Sequence, residues 1–236
     1  MTDNEATMSL LEHLEELRRR LIIIVVSVLG GAVVGFILSR PVLILLRDRL
    51  PEGQRELTFL GPADALAAQL KIAGFLGIAF AMPIILFEVW RFVTPGLTRR
   101  ERRFIWPVMI VALALFALGV AIGYVVIPYA LTFLISFAEG LADPNLTIDR
   151  YIGFVTTMML AFGVVLEFPI VLIGLAWVGI LSHRRLASQR RRAILAIVVF
   201  AIVLTPGGDP ISPLILSSVM YVLFEASLLV IRLIRR

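Results

Sequence analysis

The sequence predicts an all-α integral membrane protein with six transmembrane helices and with its N and C termini on the cytoplasmic side. Three observations lead to this fold class. Of the 236 residues, 60% are apolar, which exceeds the share of about 45–50% found in soluble domains. The apolar residues form long runs. The arginines cluster between these runs rather than within them. We treat residues 1–236 as a single membrane domain.

The lengths of the apolar runs define the predicted spans. A helix that crosses the hydrocarbon core needs about 20 apolar residues. The spans are predicted at about 21–39, 72–90, 104–127, 154–181, 193–204 and 214–231. The fifth run would extend only about 18 Å against about 30 Å of hydrocarbon. We still predict a span there, because arginines flank it on one side and an uncharged turn flanks it on the other.

The arginines determine the predicted orientation, because cytoplasmic loops of membrane proteins are enriched in Arg and Lys. Most of them lie in the N-terminal segment, in the second and fourth connecting segments and in the C-terminal tail. A six-span topology places these four segments on one side, which we predict to be the cytoplasm. On the opposite side, residues 40–71 are predicted to form a cap with two short helices opened by Pro41 and Pro62.

The composition disfavours several kinds of function. The chain has no Cys and only two His, His13 and His183, which lie far apart in the sequence, so we predict no metal site. The sequence shows no nucleophile elbow and no phosphate-binding glycine loop, and we therefore predict neither an enzyme nor a cofactor. The net charge of +5 does not indicate a nucleic-acid partner, because arginines that flank spans are topology signals.

The N-terminal segment is predicted to be a short amphipathic helix that leads directly into the first span. Ser9 and Glu12 fit a capping box, and leucines then recur at helical spacing. Glu16 and Arg20 lie four residues apart on the polar face. They form either a solvated ion pair or part of a binding site, and the local sequence leaves both interpretations open.

Two further acidic residues occupy unusual surroundings. Glu101 lies among four arginines, either as a compensated residue at the start of a helix or as an ionised acid for a cationic ligand. Glu167 lies within the fourth apolar run, where a carboxylate costs at least about 2.5 kcal/mol to insert. It should face the bundle interior or a wet cavity, either as a hydrogen bond between helices or as a functional acid. Pro169 is predicted to kink the helix beside it.

Several segments, in this order along the chain, resemble the twin-arginine translocase subunit TatC. The two most specific are residues 13–20, which read His-Leu-Glu-Glu-Leu-Arg-Arg-Arg, and residues 83–103, which contain Trp90, Pro95 and Glu101. The remaining matches are Gly119, Gly123, Tyr124 and Pro128, residues 162–169, Thr205, Pro206, Asp209 and Ser212, and finally Tyr221 and Glu225.

The resemblance implies a concave, glove-like bundle with short fifth and sixth helices, located in a bacterial or archaeal cytoplasmic (inner) membrane. It implies a receptor that binds the twin-arginine signal peptides of folded cargo at its cytoplasmic face. It also implies TatA-type and TatB-type single-span partners, assembly into a homo-oligomer, and export driven by the proton-motive force. The family is not enzymatic.

The resemblance also implies roles for individual residues. Signal-peptide binding is assigned to Glu16, Glu101 and Arg18, intramembrane or partner contacts to Glu167, Pro169 and Tyr124, and the last outside turn to Asp209 and Ser212. The chain departs from the family's usual pattern at several positions, which include Gly207, Gly208, Pro213, and Phe87-Glu88 in place of Tyr-Gln.

The alternative function is a small-solute or ion transporter that uses Glu167 as a proton or cation site. Such a transporter should place polar groups on several spans around this acid. The first and third spans offer almost none apart from their small residues and Tyr124.

Overall fold

The computed structural model of the protein describes residues 10–50, 57–93, 105–137 and 146–234. Within these ranges the chain is built from helices joined by turns. The helices are α1 (Leu10–Arg47), α2 (Asp64–Val93), α3 (Ile105–Ser136), α4 (Ile148–Val165), α5 (Phe168–Trp177), α6 (His183–Ser188), α7 (Arg190–Leu204) and α8 (Ile211–Ile234).

Five helical segments of the described chain are long and apolar enough to cross a membrane. They overlap five of the six predicted spans, and they comprise Leu11–Arg47, Asp64–Phe92, Ile105–Ser136, Ile148–Trp177 and Ile211–Leu233. The remaining predicted span lies in α7, which has only 15 residues and is therefore about 22 Å long. Its passage through a membrane stays a prediction.

The segment between the first two spans differs from the prediction. Two short helices opened by Pro41 and Pro62 were expected, but Pro41 lies inside α1, and α2 already begins at Asp64. The cap helices are thus extensions of the spans themselves. α1 continues past its proline because Leu46 and Leu50 are buried in the main core, and burial of these side chains stabilises the last turns of the helix.

The connecting segments at this end of the bundle contact one another. Thr58 forms a short parallel β-bridge with the backbone that precedes α4. The Tyr151 hydroxyl donates a buried hydrogen bond of 2.6 Å to the Leu46 carbonyl. Lys71 donates to Asp149 at 2.7 Å. These contacts hold the end of α1 and the start of α2 against the start of α4.

Glycines permit close crossings between neighbouring helices. A Cβ atom on Gly31 of α1 would lie 2.8 Å from the Gly77 carbonyl oxygen of α2. At the α3–α4 crossing, a Cβ atom on Gly119 would overlap the carbonyl oxygen of Phe162. Small residues let helix backbones approach this closely within a membrane.

The fourth predicted span is interrupted near its centre. α4 ends at Val165 and α5 begins at Phe168, with Glu167 at the junction. Pro169 has no N–H group, so it cannot donate the helical hydrogen bond to the Val165 carbonyl. The predicted disruption of the helix beside Pro169 is therefore confirmed.

Candidate functional site

A buried ionic cluster lies at the end of the bundle where α1 begins and α2 ends. The Arg20 guanidinium of α1 donates to Glu16, one turn earlier on the same helix, and to Glu88 of α2 at 2.9 Å. Glu88 is 5% exposed and Arg20 is 9% exposed. We call Glu16, Arg20 and Glu88 the acidic triad. Two carboxylates face one guanidinium, so the triad carries one negative charge in excess.

The contact between Glu16 and Arg20 follows from the local sequence, whereas the contact between Arg20 and Glu88 follows from tertiary packing. Glu16 and Arg20 share a helix face because they lie four residues apart. The predicted contact is present, but the pair is not solvated, because Arg20 is buried. Glu88 reaches them because α1 and α2 are antiparallel and cross closely at Gly31 and Gly77. The sequence identifies Glu88 only as a departure from the family's usual pattern and does not predict its partner. The sequence feature that could have revealed this contact is a carboxylate inside an apolar run, because such a carboxylate requires a cation or a hydrogen-bond donor nearby.

The surroundings of the triad combine an aromatic stack with unsatisfied polar atoms. The His13 ring stacks on Phe92 with ring centroids 4.4 Å apart, and its Nδ1 atom lies 3.9 Å from Oε2 of Glu16. Oε2 of Glu16 and Nε of Arg20 are buried, and neither has a hydrogen-bond partner among the described residues. The triad therefore retains unused capacity for a further polar contact.

Other elements converge on the same end of the bundle. Trp90 of α2 packs against Trp177 of α5 with ring centroids 5.5 Å apart, and Arg190 of α7 donates to Glu225 of α8 at 2.9 Å. The arginine-bearing helix ends thus lie together. The exposed arginines on these ends are Arg18, Arg19, Arg91, Arg184, Arg185, Arg190, Arg191, Arg192 and Arg232.

The residues assigned to signal-peptide binding are described only in part. Glu16 belongs to the triad, and its side chain is 19% exposed. Arg18 lies two residues further along α1 and is exposed. Glu101 lies outside the described residues, in the segment that connects α2 to α3.

Glu167 lies at the break between α4 and α5 and is buried, with an exposure of 9%. Both of its carboxylate oxygens lack a hydrogen-bond partner among the described residues. The predicted interior location is confirmed, whereas a hydrogen bond to a neighbouring helix is not seen in the part of the chain that the structure describes. Pro169 is also buried, in the first turn of α5.

Replacement of Glu167 by Leu is expected to stabilise the protein by about 1–3 kcal/mol, because a buried unpaired polar group is replaced by an apolar side chain of similar size. The measurement is thermal unfolding of the purified protein in detergent. Glu225→Leu is the matched control, and it should give a small loss because Glu225 is paired with Arg190. A lower unfolding temperature for Glu167→Leu would show that its carboxylate has a stabilising partner that is not seen among the described residues.

The other predicted contact residues lie away from the triad. The Arg49 guanidinium lies 4.2 Å from the ring centroid of Tyr124, next to the end of α1. The Asp209 carboxylate accepts a 2.7 Å hydrogen bond from the backbone N–H of Ser212, in the first turn of α8, and both residues are buried. This contact is typical of a helix cap.

Comparisons with known proteins agree along nearly the whole chain. Residues 12–218 match the family model described as Sec-independent protein translocase protein (TatC). A Carboxydothermus hydrogenoformans protein described as Sec-independent protein translocase protein TatC is 36% identical over 229 residues, which cover 97% of this chain and 94% of that protein. The chloroplastic TATC protein of Arabidopsis thaliana is 33% identical, over 99% of this chain and 69% of that protein.

The fold shows the same relationship. A crystal structure described as twin arginine translocase receptor TatC matches with a TM-score of 0.79 and 34% sequence identity. The match covers 95% of this chain and 100% of that chain. The similarity therefore includes the helices that carry the triad.

Proposed function

Because the chain belongs to the TatC family of Sec-independent protein translocase proteins, we propose that it binds the twin-arginine signal peptides of folded cargo at the bundle end that carries the acidic triad. Family membership makes the chain a multi-pass membrane component of a protein translocase and not an enzyme. It also favours this function over the small-solute transporter, as does the lack of polar partners for Glu167 among the described residues.

The observation that carries the proposal is the excess negative charge of the triad together with Oε2 of Glu16, which has no hydrogen-bond partner in the part of the chain that the structure describes. Guanidinium groups pair best with carboxylates, because two N–H donors of the planar guanidinium match the two oxygens of the planar carboxylate. Glu16 is proposed to hold one arginine of the peptide and Glu101 the other. The connecting segment that contains Glu101 starts where α2 ends, which is the triad's end of the bundle.

The exposed arginines around this site need a separate role, since they would repel a dibasic peptide. We assign them to contacts with the headgroups of anionic lipids, which attract basic residues at the cytoplasmic surface. Arg18 lies between Glu16 and Arg20 in the sequence and is proposed to border the peptide site.

The proposed topology has six spans, with α7 as the short fifth span and with both termini on the cytoplasmic side of the inner membrane. The clustering of exposed arginines at one end of the bundle supports this orientation. TatA-type and TatB-type subunits and further copies of the chain are the proposed partners. Glu167, Pro169 and Tyr124 are proposed contacts for a partner helix or for the deeper part of the signal peptide, and Asp209 and Ser212 form the outside turn.

Glu16→Ala and Glu101→Ala are each expected to reduce photocrosslinking of a twin-arginine signal peptide by about tenfold, which corresponds to loss of about 1.4 kcal/mol of binding energy. The variants should still insert into the membrane. The experiment compares them in inverted membrane vesicles with Glu15→Ala, which removes an exposed acid next to Glu16. Wild-type crosslinking in both variants would refute the site.

A further inference from the structure

Because Glu88 lies beside Arg20, the guanidinium of Arg20 donates to two carboxylates rather than to one. Arg20 donates through Nη1 to Oε2 of Glu88 at 2.9 Å and through Nη2 to Oε1 of Glu16. A guanidinium that meets a single carboxylate commonly forms two parallel hydrogen bonds, which occupy both oxygens. Here one donor arm points to Glu88, and Oε2 of Glu16 has no hydrogen-bond partner among the described residues.

The charge balance of the triad depends on the same residue. With Glu88 ionised the triad has one negative charge in excess, whereas Glu16 and Arg20 alone would neutralise each other. The cluster is largely buried, and salt screens buried charges much less than exposed ones. Oε2 of Glu16 also lies 3.9 Å from Nδ1 of His13.

His13 lies beside Oε2 of Glu16. Its side chain is 46% exposed and stacks on Phe92. The oxygen itself is buried, and a donor that reaches it would satisfy an acceptor that is otherwise costly to leave unpaired.

We propose that Glu88 is a positioning residue for the signal-peptide site. It accepts one hydrogen bond from Arg20, so Arg20 does not occupy both oxygens of Glu16. One acceptor oxygen and one negative charge then remain for an arginine of the peptide. The proposal rests on the proposed function, and it adds a residue of α2 to a site otherwise assigned to Glu16, Glu101 and Arg18.

Glu88→Gln should weaken binding of a synthetic twin-arginine peptide about tenfold, a change of about 1.4 kcal/mol, because Arg20 is then free to neutralise Glu16. The double variant Arg20→Gln/Glu88→Gln should restore most of the affinity, since Glu16 again carries an unpaired charge. The measurement is peptide affinity of the full chain purified in detergent. Glu15→Gln is the charge-matched control and should bind like the wild type.

If the role of Glu88 is purely structural, the double variant should bind the peptide no more tightly than Glu88→Gln. That result would overturn the proposal. Wild-type affinity in Glu88→Gln would also overturn it while leaving the proposed function intact. Failure of the unaltered chain to bind the peptide would refute the proposed function and this proposal together. Should Glu88→Gln fold poorly, Glu88→Asp keeps the charge with a shorter reach, and affinity no different from the wild type would count against the proposal.

Discussion

Gly119→Ala is expected to destabilise the helix bundle by about 3 kcal/mol, whereas the same change at Gly74 should have little effect. The added Cβ atom at Gly119 would overlap the Phe162 carbonyl oxygen and lie 2.7 Å from the Cα atom of Gly163. Both obstacles are backbone atoms, so a rotamer change cannot relieve them, and overpacking of this kind costs about 1–3 kcal/mol or more. Gly74 has no such neighbour within 4 Å, and alanine is the better helix former.

Thermal unfolding in detergent, followed by tryptophan fluorescence, provides the comparison. Gly30→Ala serves as a second control, because a Cβ atom there also meets nothing within 4 Å. Equal unfolding temperatures for Gly119→Ala and the two controls would show that α3 and α4 do not cross as closely as the structure indicates.

The features that the sequence predicted correctly depend on short stretches of chain. Long apolar runs identify spans because a bilayer imposes a minimum length on them. The disruption beside Pro169 follows from its missing N–H group. The pairing of Glu16 with Arg20 follows from helical spacing. Each of these inferences needs no knowledge of which helices are neighbours.

The features that sequence reasoning missed depend on contacts between distant segments. α1 continues past Pro41 because Leu46 and Leu50 are buried against other helices, and the sequence does not reveal those neighbours. Arg20 and Glu88 are 68 residues apart, and their contact requires the register of the α1–α2 crossing. That register follows from the fit of Gly31 against Gly77, which no periodicity in either helix specifies.

The strongest effect at the triad is expected from Arg20→Gln, which should destabilise the protein by about 3–5 kcal/mol. Removal of the guanidinium leaves two carboxylates facing one another, and Glu88 is almost fully buried. Loss of one partner from a buried ion pair costs this much because the remaining charge is uncompensated. We expect the ends of α1 and α2 to separate, since separation hydrates both carboxylates.

A second substitution shows whether Arg20 stabilises the protein through its charge or through the packing of its side chain. Arg20→Gln/Glu88→Gln removes the repulsion and should recover much of the lost stability, because a glutamine pair can share a hydrogen bond without a charge. Thermal unfolding is followed by tryptophan fluorescence in a background in which Trp106 and Trp177 are replaced by Phe. Trp90, which is 4% exposed and lies two residues beyond Glu88, then reports the separation of the helix ends. A double variant as unstable as Arg20→Gln would mean that the arginine stabilises α1 through the packing of its stem. In that case Arg20 and Glu88 would not set the excess negative charge that the proposed peptide site requires.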